Sequence, residues 1–511
     1  MAGWGQAIRW QTLSVGVQIV LQLLFTAVLA RLLSPADFGI MAIALVVVGV
    51  VEIFAQIGIG PALVQRKELS DADVVTAFWT SAALGVGSFG ILWTAAPAVG
   101  ALYAARTSGD TELLVDVLRI IALSFVISGF TLVPRSLLIR RMAFDRLFRS
   151  SLLAMGIGNL GIGLGLAWAG AGVWSYVAAL LAQNALMGVF NTFQAPYPVR
   201  GWPSAASLRS MLGYGARSTL FNLANYAATK VDTLVVSLSS SLSLSLSSSL
   251  SLRGWEATGV YDRAAYLYSL PITVLGKLSD NVLFSGMSAL QDRQLELQRT
   301  VQRGIQVLGL VVLPATVFLS AFASDVAVVL LGPRFAASGP IAAILFAGLA
   351  CRALTKLGDA TVRATDLLAP AVVLKFVFVG LIAGGAWVAL RSGAGLTGVA
   401  WALTAATVVQ CAGMAVLVRK AVGAGAYASG RPLLPGLALA TAAGAAAAAT
   451  HALPITASWI QLACGTALTL AFCFLLVLSA PHLLDGADPA LRRSLASRLP
   501  LPSIVRARME R

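Results

Sequence analysis

Fourteen apolar segments, each about 20 residues long or longer, follow one another along the chain with short connections between them. A segment of this kind crosses a bilayer as an α-helix, because lipid offers no partner for backbone N–H and C=O groups. Charged residues make up only 11% of the chain, whereas a soluble chain carries about 25%. The sequence therefore predicts an all-α integral membrane protein of about 14 transmembrane helices. The segments cover residues 11–32, 39–64, 75–103, 114–139, 150–169, 173–195, 208–236, 257–290, 304–332, 338–363, 368–391, 395–419, 433–452 and 456–480.

The 36 Lys and Arg residues are distributed unevenly among these segments and their connections. If the N-terminus is cytoplasmic and residues at the segment ends are counted with the loops, 22 of them lie in inner loops and the tail, 5 lie in outer loops and nine lie inside apolar segments. Cytoplasmic loops of membrane proteins are enriched in Lys and Arg. The sequence therefore predicts two cytoplasmic termini, and the net charge of +15 does not indicate a nucleic-acid partner. Because the first apolar segment is long enough to span, we expect no cleavable signal peptide.

Nine cations inside apolar segments are costly, since each isolated charge in a bilayer costs roughly 2.5–3.5 kcal/mol. So many charges of one sign are typical of a hydrated path for an anionic cargo. The alternative for Arg119, Arg135, Lys230 and Lys375 is snorkelling, in which the charged head reaches the membrane interface. The candidate substrate-binding cations are Arg217, Arg263, Lys277, Arg352 and Lys356.

Polar residues recur at helical spacing within several segments. Asn222, Asn225 and Asp232 share one face of the seventh segment, and Gln18 and Gln22 share a face of the first. These stripes favour the wall of a polar cavity, although hydrogen bonds between helices would use the same residues. The acids in the apolar segments are candidates for ion or proton coupling, and each could equally form a structural salt bridge. They are Glu52, Asp232, Asp280 and Asp359.

The sequence contains none of the common signatures of a catalytic or metal centre. It has no G-x-x-x-x-G-K-[ST] loop, no nucleophile elbow and no metal-binding pair of histidines on a helix. The four cysteines lack metal-ligand spacing, and only two histidines occur. We therefore expect a protein that is not an enzyme and that needs no metal and no cofactor.

Two features concern the organisation of the chain. Asp37-Phe38-Gly39 opens the second apolar segment and Ala257-Thr258-Gly259 opens the eighth, which suggests a weak repeat of six helices. Residues 237–252 consist only of Ser and Leu, and they predict an irregular low-complexity loop on the outer side. A Ser/Leu hairpin that gates the outer mouth is the alternative.

Two stretches resemble a known family. The first reads ARLLSPADFG at 30–39 and continues as GIGPALVQR at 58–66. The second reads GVYDRA at 259–264, followed by Leu270-Pro271 and by FSGMSALQ at 284–291. Both are similar to Wzx-type polysaccharide flippases of the multidrug/oligosaccharidyl-lipid/polysaccharide exporter superfamily, in particular to WzxC-like exporters. The resemblance covers roughly residues 5–420, and the chain departs from it at 237–252, where the family has a short glycine-containing link.

The resemblance implies two six-helix lobes around a central cationic cavity, followed by two further C-terminal helices. The expected divisions are an N-terminal lobe at 1–200, a C-terminal lobe at 201–425, the last two helices at 426–480 and a basic cytoplasmic tail at 481–511. It also implies that Arg263 and Asp232 lie at cavity positions.

The implied activity is the transfer of undecaprenyl-pyrophosphate-linked oligosaccharides across the bacterial inner membrane by alternating access, coupled to an ion gradient. The expected partners are the lipid-linked substrate, membrane lipids and the polysaccharide polymerase and chain-length machinery, with no nucleic acid. Three alternatives remain: a multidrug or organic-cation antiporter on the same scaffold, a membrane polymerase or ligase for the same sugars, and a non-transporting scaffold protein.

Overall fold

The structure is a computed structural model, and it describes residues 2–56, 58–65, 68–104, 111–197, 201–239, 254–278, 293–365, 367–423, 433–454 and 457–479. Within these residues every regular element is helical. This agrees with the expectation that apolar segments in lipid satisfy their backbone groups internally. The all-α membrane fold predicted by the sequence is confirmed.

The chain divides into two compact units, Met1–Asp262 and Arg263–Arg511. The helices that lie wholly within the first unit are α1 Ala2–Leu32, α2 Pro35–Gln56, α3 Ile59–Gln65, α4 Asp71–Ala104, α5 Thr111–Ile121, α6 Leu123–Arg140, α7 Phe144–Ala154, α8 Leu164–Trp168, α9 Val173–Gln194 and α10 Ala205–Ser239, with a π-helical stretch at Met155–Gly163. The next helix, α11 Trp255–Leu278, contains the division between the units.

Within the described residues, the second unit continues from α11 with eight more helices and a short 3₁₀ turn at Pro333–Phe335. They are α12 Gln294–Ala321, α13 Ala323–Leu331, α14 Ser338–Ala347, α15 Leu349–Ala364, α16 Leu368–Arg391, α17 Gly395–Val422, α18 Leu434–His451 and α19 Ser458–Ser479. The core of this unit is an apolar cluster shared by α12, α15, α16 and α17.

Each of the fourteen predicted segments contains helix. In the described part of the chain, ten helices are long and apolar enough to cross a membrane, or eleven if the bent pair α14 and α15 forms one span. The predicted number of 14 is consistent with this finding. Within the described residues one candidate span is bent, since α14 and α15 meet at an angle of 48° at Gly348. The second predicted segment contains α2 and α3, and the fourth contains α5 and α6.

Two spans of the first unit begin with the same local motif. The Ser34 backbone N–H donates to Asp37 Oδ2 at 2.9 Å, and the Asp37 N–H donates back to Ser34 Oγ at 3.2 Å. Ser70 and Asp73 repeat this reciprocal pair at the start of α4, with both distances at 3.2 Å. This is a capping box, which satisfies backbone donors that have no partner at a helix N-terminus. The sequence therefore defines where α2 and α4 begin.

The first turns of α2 and α11 approach each other closely within the first unit. A Cβ atom placed on Gly39 would overlap the backbone oxygen of Trp255, and a Cβ atom on Gly259 would overlap that of Pro35. Only glycine lets the two backbones come this near. These two glycines are the positions that the sequence pairs in its suggested repeat.

The compact units are defined by contacts, whereas the predicted lobes are defined by counting helices. The described part of α10 packs on α2, α3 and α4, and the first turns of α11 belong to the same unit, so the first compact unit ends at Asp262. In the second unit α18 packs along α12, and their backbones meet at Gly309 and Gly436. The boundaries at 200 and 425, which delimit the two predicted six-helix lobes, stay predictions. Of the Ser/Leu tract, Ser237–Ser239 end α10, and 240–252 lie outside the described residues.

Candidate functional site

Four charged residues share one face of α15. Arg352, Lys356, Asp359 and Arg363 follow at steps of four, three and four residues, which places them within a narrow stripe of the helix. The opposite face is apolar and buried, and Leu357 and Ala360 contribute to the core of the second unit. Hydrophobic burial of that face therefore fixes the direction in which the charged stripe points.

Arg352 is held by two groups from neighbouring helices. Its guanidinium donates to Gln410 Oε1 of α17 at 2.9 Å, and it lies 5.1 Å from the ring centre of Phe378 of α16. Gln410 is buried, with 3% of its surface exposed. A hydrogen bond to a charged group and a cation–π contact both stabilise the charge at a defined position.

Lys375 of α16 reaches across to α15. Its Nζ atom lies 3.9 Å from Asp359 Oδ1, and the two side chains are 7% and 17% exposed. The charges of Lys356, Arg363 and Arg352 also act on Lys375. The snorkelling interpretation of Lys375 is therefore wrong, because its ammonium is buried beside a carboxylate of another helix.

Together these residues form what we term the basic cluster, defined by the cations Arg352, Lys356, Arg363 and Lys375 and by the carboxylate Asp359. The backbone oxygen of Asp359 also accepts a hydrogen bond from Arg363 Nε at 3.2 Å. The cluster offers guanidinium and ammonium donors, which suit the oxygens of phosphate groups. Arg352 and Lys356, two of the five predicted substrate-binding cations, belong to it.

A second buried polar pair lies in the first unit. Asp232 of α10 accepts a hydrogen bond from the Tyr261 hydroxyl of α11 at 3.1 Å. Asp232 is 6% exposed and Tyr261 is fully buried. Arg263, which begins the second unit, is 5% exposed, and its guanidinium lies 5.0 Å from the ring centre of Tyr266.

Glu52 of α2 lines a small pocket between α2, α4 and α6, whose walls include the hydroxyl-bearing residues Ser81 and Ser128. Ser81 donates to the Gly129 backbone oxygen of α6 at 2.8 Å. On the neighbouring α10, the Tyr226 hydroxyl donates to the backbone oxygens of Leu45 and Val46, at 3.1 and 3.0 Å. Glu52 is exposed in the isolated chain.

The remaining predicted site residues divide into those with and those without a described side chain. Gln18 donates to Ser14 of its own helix at 2.8 Å, and Gln22 is half-buried. The backbone positions of Arg217, Asn222, Asn225 and Lys277 are helical, but their side chains lie outside the described residues, as does all of Asp280. Within the described residues, no three His, Cys, Asp or Glu side chains come together as metal ligands do.

Sequence reasoning misses Gln410, Phe378 and Tyr261. Each is a single polar or aromatic residue in an apolar helix, and its role depends on a residue of another helix. A further pair consists of Cys351 of α15 and Cys411 of α17, whose thiols interact beside Arg352 and Gln410. The sequence pattern that could have indicated this pair is that each cysteine is next to a polar residue within an apolar segment.

Comparison with known proteins finds similarity to proteins of polysaccharide biosynthesis. Similar curated proteins are the lipopolysaccharide biosynthesis protein WzxC of Escherichia coli (strain K12), 22% identical over 341 residues, and the succinoglycan biosynthesis transport protein ExoT of Rhizobium meliloti (strain 1021), 26% identical over 342 residues. Each match covers 66% of this chain. The chain spans just under two thirds of these relatives, 65% of WzxC and 64% of ExoT.

Solved structures share the fold. The lipid II flippase MurJ, in an inward closed conformation, superposes with a TM-score of 0.70 at 13% identity over 92% of this chain and 99% of MurJ. A multidrug resistance MATE family transporter in an inward-facing conformation gives 0.65 at 18% identity over 82% of this chain and 98% of that one.

The family model for polysaccharide biosynthesis proteins matches residues 28–340. That range is more than half of the 511 residues. It includes both stretches that carry the resemblance in the sequence. The chain therefore belongs to the polysaccharide biosynthesis protein family.

Proposed function

We propose that the protein flips undecaprenyl-pyrophosphate-linked oligosaccharide repeat units from the cytoplasmic to the periplasmic leaflet of the bacterial inner membrane, for exopolysaccharide, capsule or lipopolysaccharide biosynthesis. The observation that carries this proposal is the basic cluster, in which four cations and one carboxylate lie on two neighbouring helices, α15 and α16. Family membership and the names of WzxC and ExoT support the choice of a polysaccharide precursor as cargo.

The basic cluster suits the pyrophosphate group of such a lipid. Arg352 presents a planar fork that can donate two parallel hydrogen bonds to phosphate oxygens. Lys356 acts as a compact point charge that holds an anion less specifically. A mixture of both lets a pyrophosphate bind in a defined orientation and leave again. The proposed path of the pyrophosphate also includes cations on α10 and α11, namely Arg217, Arg263 and Lys277.

The remaining parts of the substrate need different surroundings. The sugars would pass along the polar stripes formed by Gln18 and Gln22 and by Asn222 and Asn225, since amides exchange hydrogen bonds with hydroxyl groups. The polyprenyl chain would stay in lipid, where its hydrocarbon is already favourably solvated. The pyrophosphate is therefore the part of the substrate whose passage through the membrane depends most on contacts with the protein.

An ion gradient can drive alternating access in one direction, and the acids within the apolar segments are the proposed coupling groups. Asp232 with its Tyr261 partner and Glu52 in its pocket can each exchange a proton or a cation, and Asp280 and Asp359 are further candidates. Acidic residues in membrane spans commonly mark ion or proton pathways. Both termini are proposed to be cytoplasmic, with the lobes and tail divided as the sequence predicts. The polymerase and chain-length machinery are the proposed partners on the polysaccharide pathway.

A second candidate is a multidrug antiporter, which the structural similarity to a MATE transporter favours. A carrier of organic cations needs an acidic or aromatic binding surface, because its cargo is attracted to negative charge and to ring faces. The basic cluster has the opposite sign. A lipid-linked anion is therefore the better cargo.

The test is a flipping assay in proteoliposomes that contain a fluorescent undecaprenyl-pyrophosphate oligosaccharide. Wild-type protein should move the lipid between leaflets, with or without an imposed ion gradient. Arg352→Ala should slow this movement by about tenfold or more, because a hydrogen bond to a charged group contributes roughly 1.5–3 kcal/mol. Arg263→Ala should slow it as well.

Arg334→Ala is the matched control, since Arg334 is exposed in the turn before α14. It should flip the lipid at the wild-type rate. Equal flipping rates for wild type, Arg352→Ala and Arg334→Ala would show that the basic cluster does not contribute to flipping. Transport of a fluorescent organic cation without any movement of the lipid would favour the antiporter.

A further inference from the structure

Arg119 of α5 places a positive charge in an apolar segment, where it contacts the neighbouring helix α4. Its guanidinium lies 5.4 Å from the ring centre of Trp93, and the two helices pack on each other. Arg119 is half-buried. Among the described residues, its Nε atom is buried without a hydrogen-bond partner, and no carboxylate forms an ion pair with it. The cation–π contact holds the charge in place and leaves N–H donors for a ligand from outside the chain.

Two carboxylates share one face of α5 with Arg119. Glu112 and Asp116 precede it by seven and three residues, and these spacings place all three side chains on one side of a helix. Both acids are exposed, and they lie nearer to the beginning of α5 than Arg119 does. From the start of the helix inward, this face therefore presents two negative charges and then one positive charge. Asp116 and Arg119 are about 4.5 Å apart along the helix axis.

The beginning of α5 lies at the level of lipid headgroups. The candidate span that contains α5 runs from Thr111 to Arg140, which is 30 residues, and a helix of this length measures about 45 Å. The hydrocarbon core of a bilayer is about 30 Å thick, and the headgroup regions bring the total to about 40–45 Å. The first turns of the span therefore lie among headgroups, and Arg119 lies about 12 Å from its start, near the edge of the hydrocarbon.

The side chains around Arg119 are typical of a surface that faces lipid. Trp93 is 40% exposed, Ile120 is 37% exposed and Leu123 is 39% exposed. Trp is enriched at the boundary between headgroups and hydrocarbon. Side chains on a helix lean toward its N-terminus, so Arg119 leans toward the headgroups. This face of α5 thus offers charges to a headgroup and apolar side chains to the acyl chains below it.

We propose that Arg119, Asp116 and Glu112, together with Trp93, bind the headgroup of a phospholipid that carries both a phosphate and a primary ammonium, as phosphatidylethanolamine does. The phosphate of such a lipid is attached to the glycerol, near the hydrocarbon, and the ammonium extends outward through a short ethanolamine link. Arg119 donates to the phosphate oxygens, and the ammonium donates to the carboxylates. The charges of helix and lipid therefore follow in complementary order.

The two carboxylates decide between kinds of lipid. An anionic headgroup would be attracted by Arg119 but repelled by Glu112 and Asp116, which lie farther out along the same face. A headgroup with an outer ammonium meets attraction at both levels. This lipid site does not rest on the proposed function, because none of its residues belongs to the basic cluster or to the proposed path of the pyrophosphate.

Native mass spectrometry of the full-length protein in detergent tests the site with three phospholipids that share the same acyl chains. Phosphatidylethanolamine has a primary ammonium, phosphatidylcholine has a quaternary ammonium without an N–H donor, and phosphatidylglycerol has no ammonium. Wild-type protein should bind phosphatidylethanolamine several-fold more tightly than the other two. Arg119→Leu should weaken this binding about tenfold, because a hydrogen bond to a charged group is lost. Glu112→Gln/Asp116→Asn should remove the preference for phosphatidylethanolamine over phosphatidylglycerol.

Arg391→Leu is the matched control, since Arg391 lies 4.0 Å from the ring centre of Trp387 but α16 contains no acidic residue. Wild type and each variant are mixed in one sample, where their masses distinguish them. Arg391→Leu should bind phosphatidylethanolamine like wild type. Equal binding of the three lipids by wild type would overturn the proposal, as would tighter binding of phosphatidylglycerol or equal losses in Arg119→Leu and Arg391→Leu.

The carboxylate variant guards against misfolding of Arg119→Leu. Glu112 and Asp116 are exposed, so their amides should fold like wild type, which thermal unfolding in detergent checks. If this folded variant still prefers phosphatidylethanolamine to phosphatidylglycerol by the wild-type factor, the carboxylates do not hold the ammonium and the proposal fails.

Discussion

At the scale of the residue, the proposed function depends on charges whose neighbours come from other helices. Gln410 of α17 positions Arg352 of α15, and Tyr261 of α11 donates to Asp232 of α10. The sequence identifies Arg352 and Asp232 as candidates because a charge in an apolar segment is rare. It does not identify their partners, since a single Gln or Tyr in a helix carries no spacing pattern.

Lys375 shows the same limit. A lysine near the start of an apolar segment can extend to the interface or turn inward, and both choices leave the same pattern in the sequence. Only the position of Asp359 on another helix decides between them. Interpretation from sequence therefore fails where the partner is distant along the chain.

Gln410→Leu provides a test at this scale. It removes the acceptor for Arg352, and a buried charge without its partner costs about 1–3 kcal/mol or more. We expect a lower unfolding temperature and slower lipid flipping.

Thermal unfolding of the protein in detergent measures the first effect, and the proteoliposome assay measures the second. Gln18→Leu is the matched control, because Gln18 is bonded to Ser14 of its own helix and should matter less. An unchanged unfolding temperature in Gln410→Leu would contradict the role of Gln410.

At the scale of the element, segment lengths predict the helices well and their breaks poorly. The apolar runs agree with the helices because lipid leaves no other way to satisfy the backbone. The break between α14 and α15 lies at Gly348, yet glycines such as Gly87 lie inside unbroken helices. Whether a glycine interrupts a helix therefore depends on packing around it.

The contact between α2 and α11 gives an element-scale prediction. Gly39→Ala should destabilise the protein, because its Cβ would meet a backbone atom of Trp255, which cannot rotate away as a side chain can. Overpacking of this kind costs typically about 1–3 kcal/mol. Size-exclusion chromatography after heating measures the fraction that remains folded.

Gly87→Ala on α4 is the matched control. No atom lies within 4 Å of a Cβ at that position, and alanine favours a helix over glycine by up to about 1 kcal/mol. This variant should be as stable as wild type or more so. Equal heat resistance of Gly39→Ala and Gly87→Ala would contradict the close approach.

At the scale of the whole molecule, the chain consists of two compact helical units that divide within α11. The predicted boundary near residue 200 follows the count of helices, six in each lobe. The structure groups helices by contact instead, and the described part of α10 contacts α2, α3 and α4. A sequence cannot reveal such grouping, because contacts between distant helices leave no local pattern.

The orientation in the membrane is testable at this scale. The excess of 22 inner over 5 outer Lys and Arg residues predicts a cytoplasmic C-terminus. Green fluorescent protein fused after Arg511 should therefore fluoresce, and alkaline phosphatase at the same place should be inactive. A truncated fusion after Gly393, between α16 and α17, should give the opposite result. Active phosphatase at Arg511 would reverse the assigned orientation.

The glycine contact between α2 and α11 has a consequence for how the molecule can diversify. It is built from main-chain atoms on both sides, so exchanges of side chains elsewhere on the two helices leave it in place. If the proposed function holds, positions that face a sugar can vary from one strain to another while the junction stays constant. In a library randomised along both helices and selected for export, 39 and 259 are the two positions that should return to glycine together.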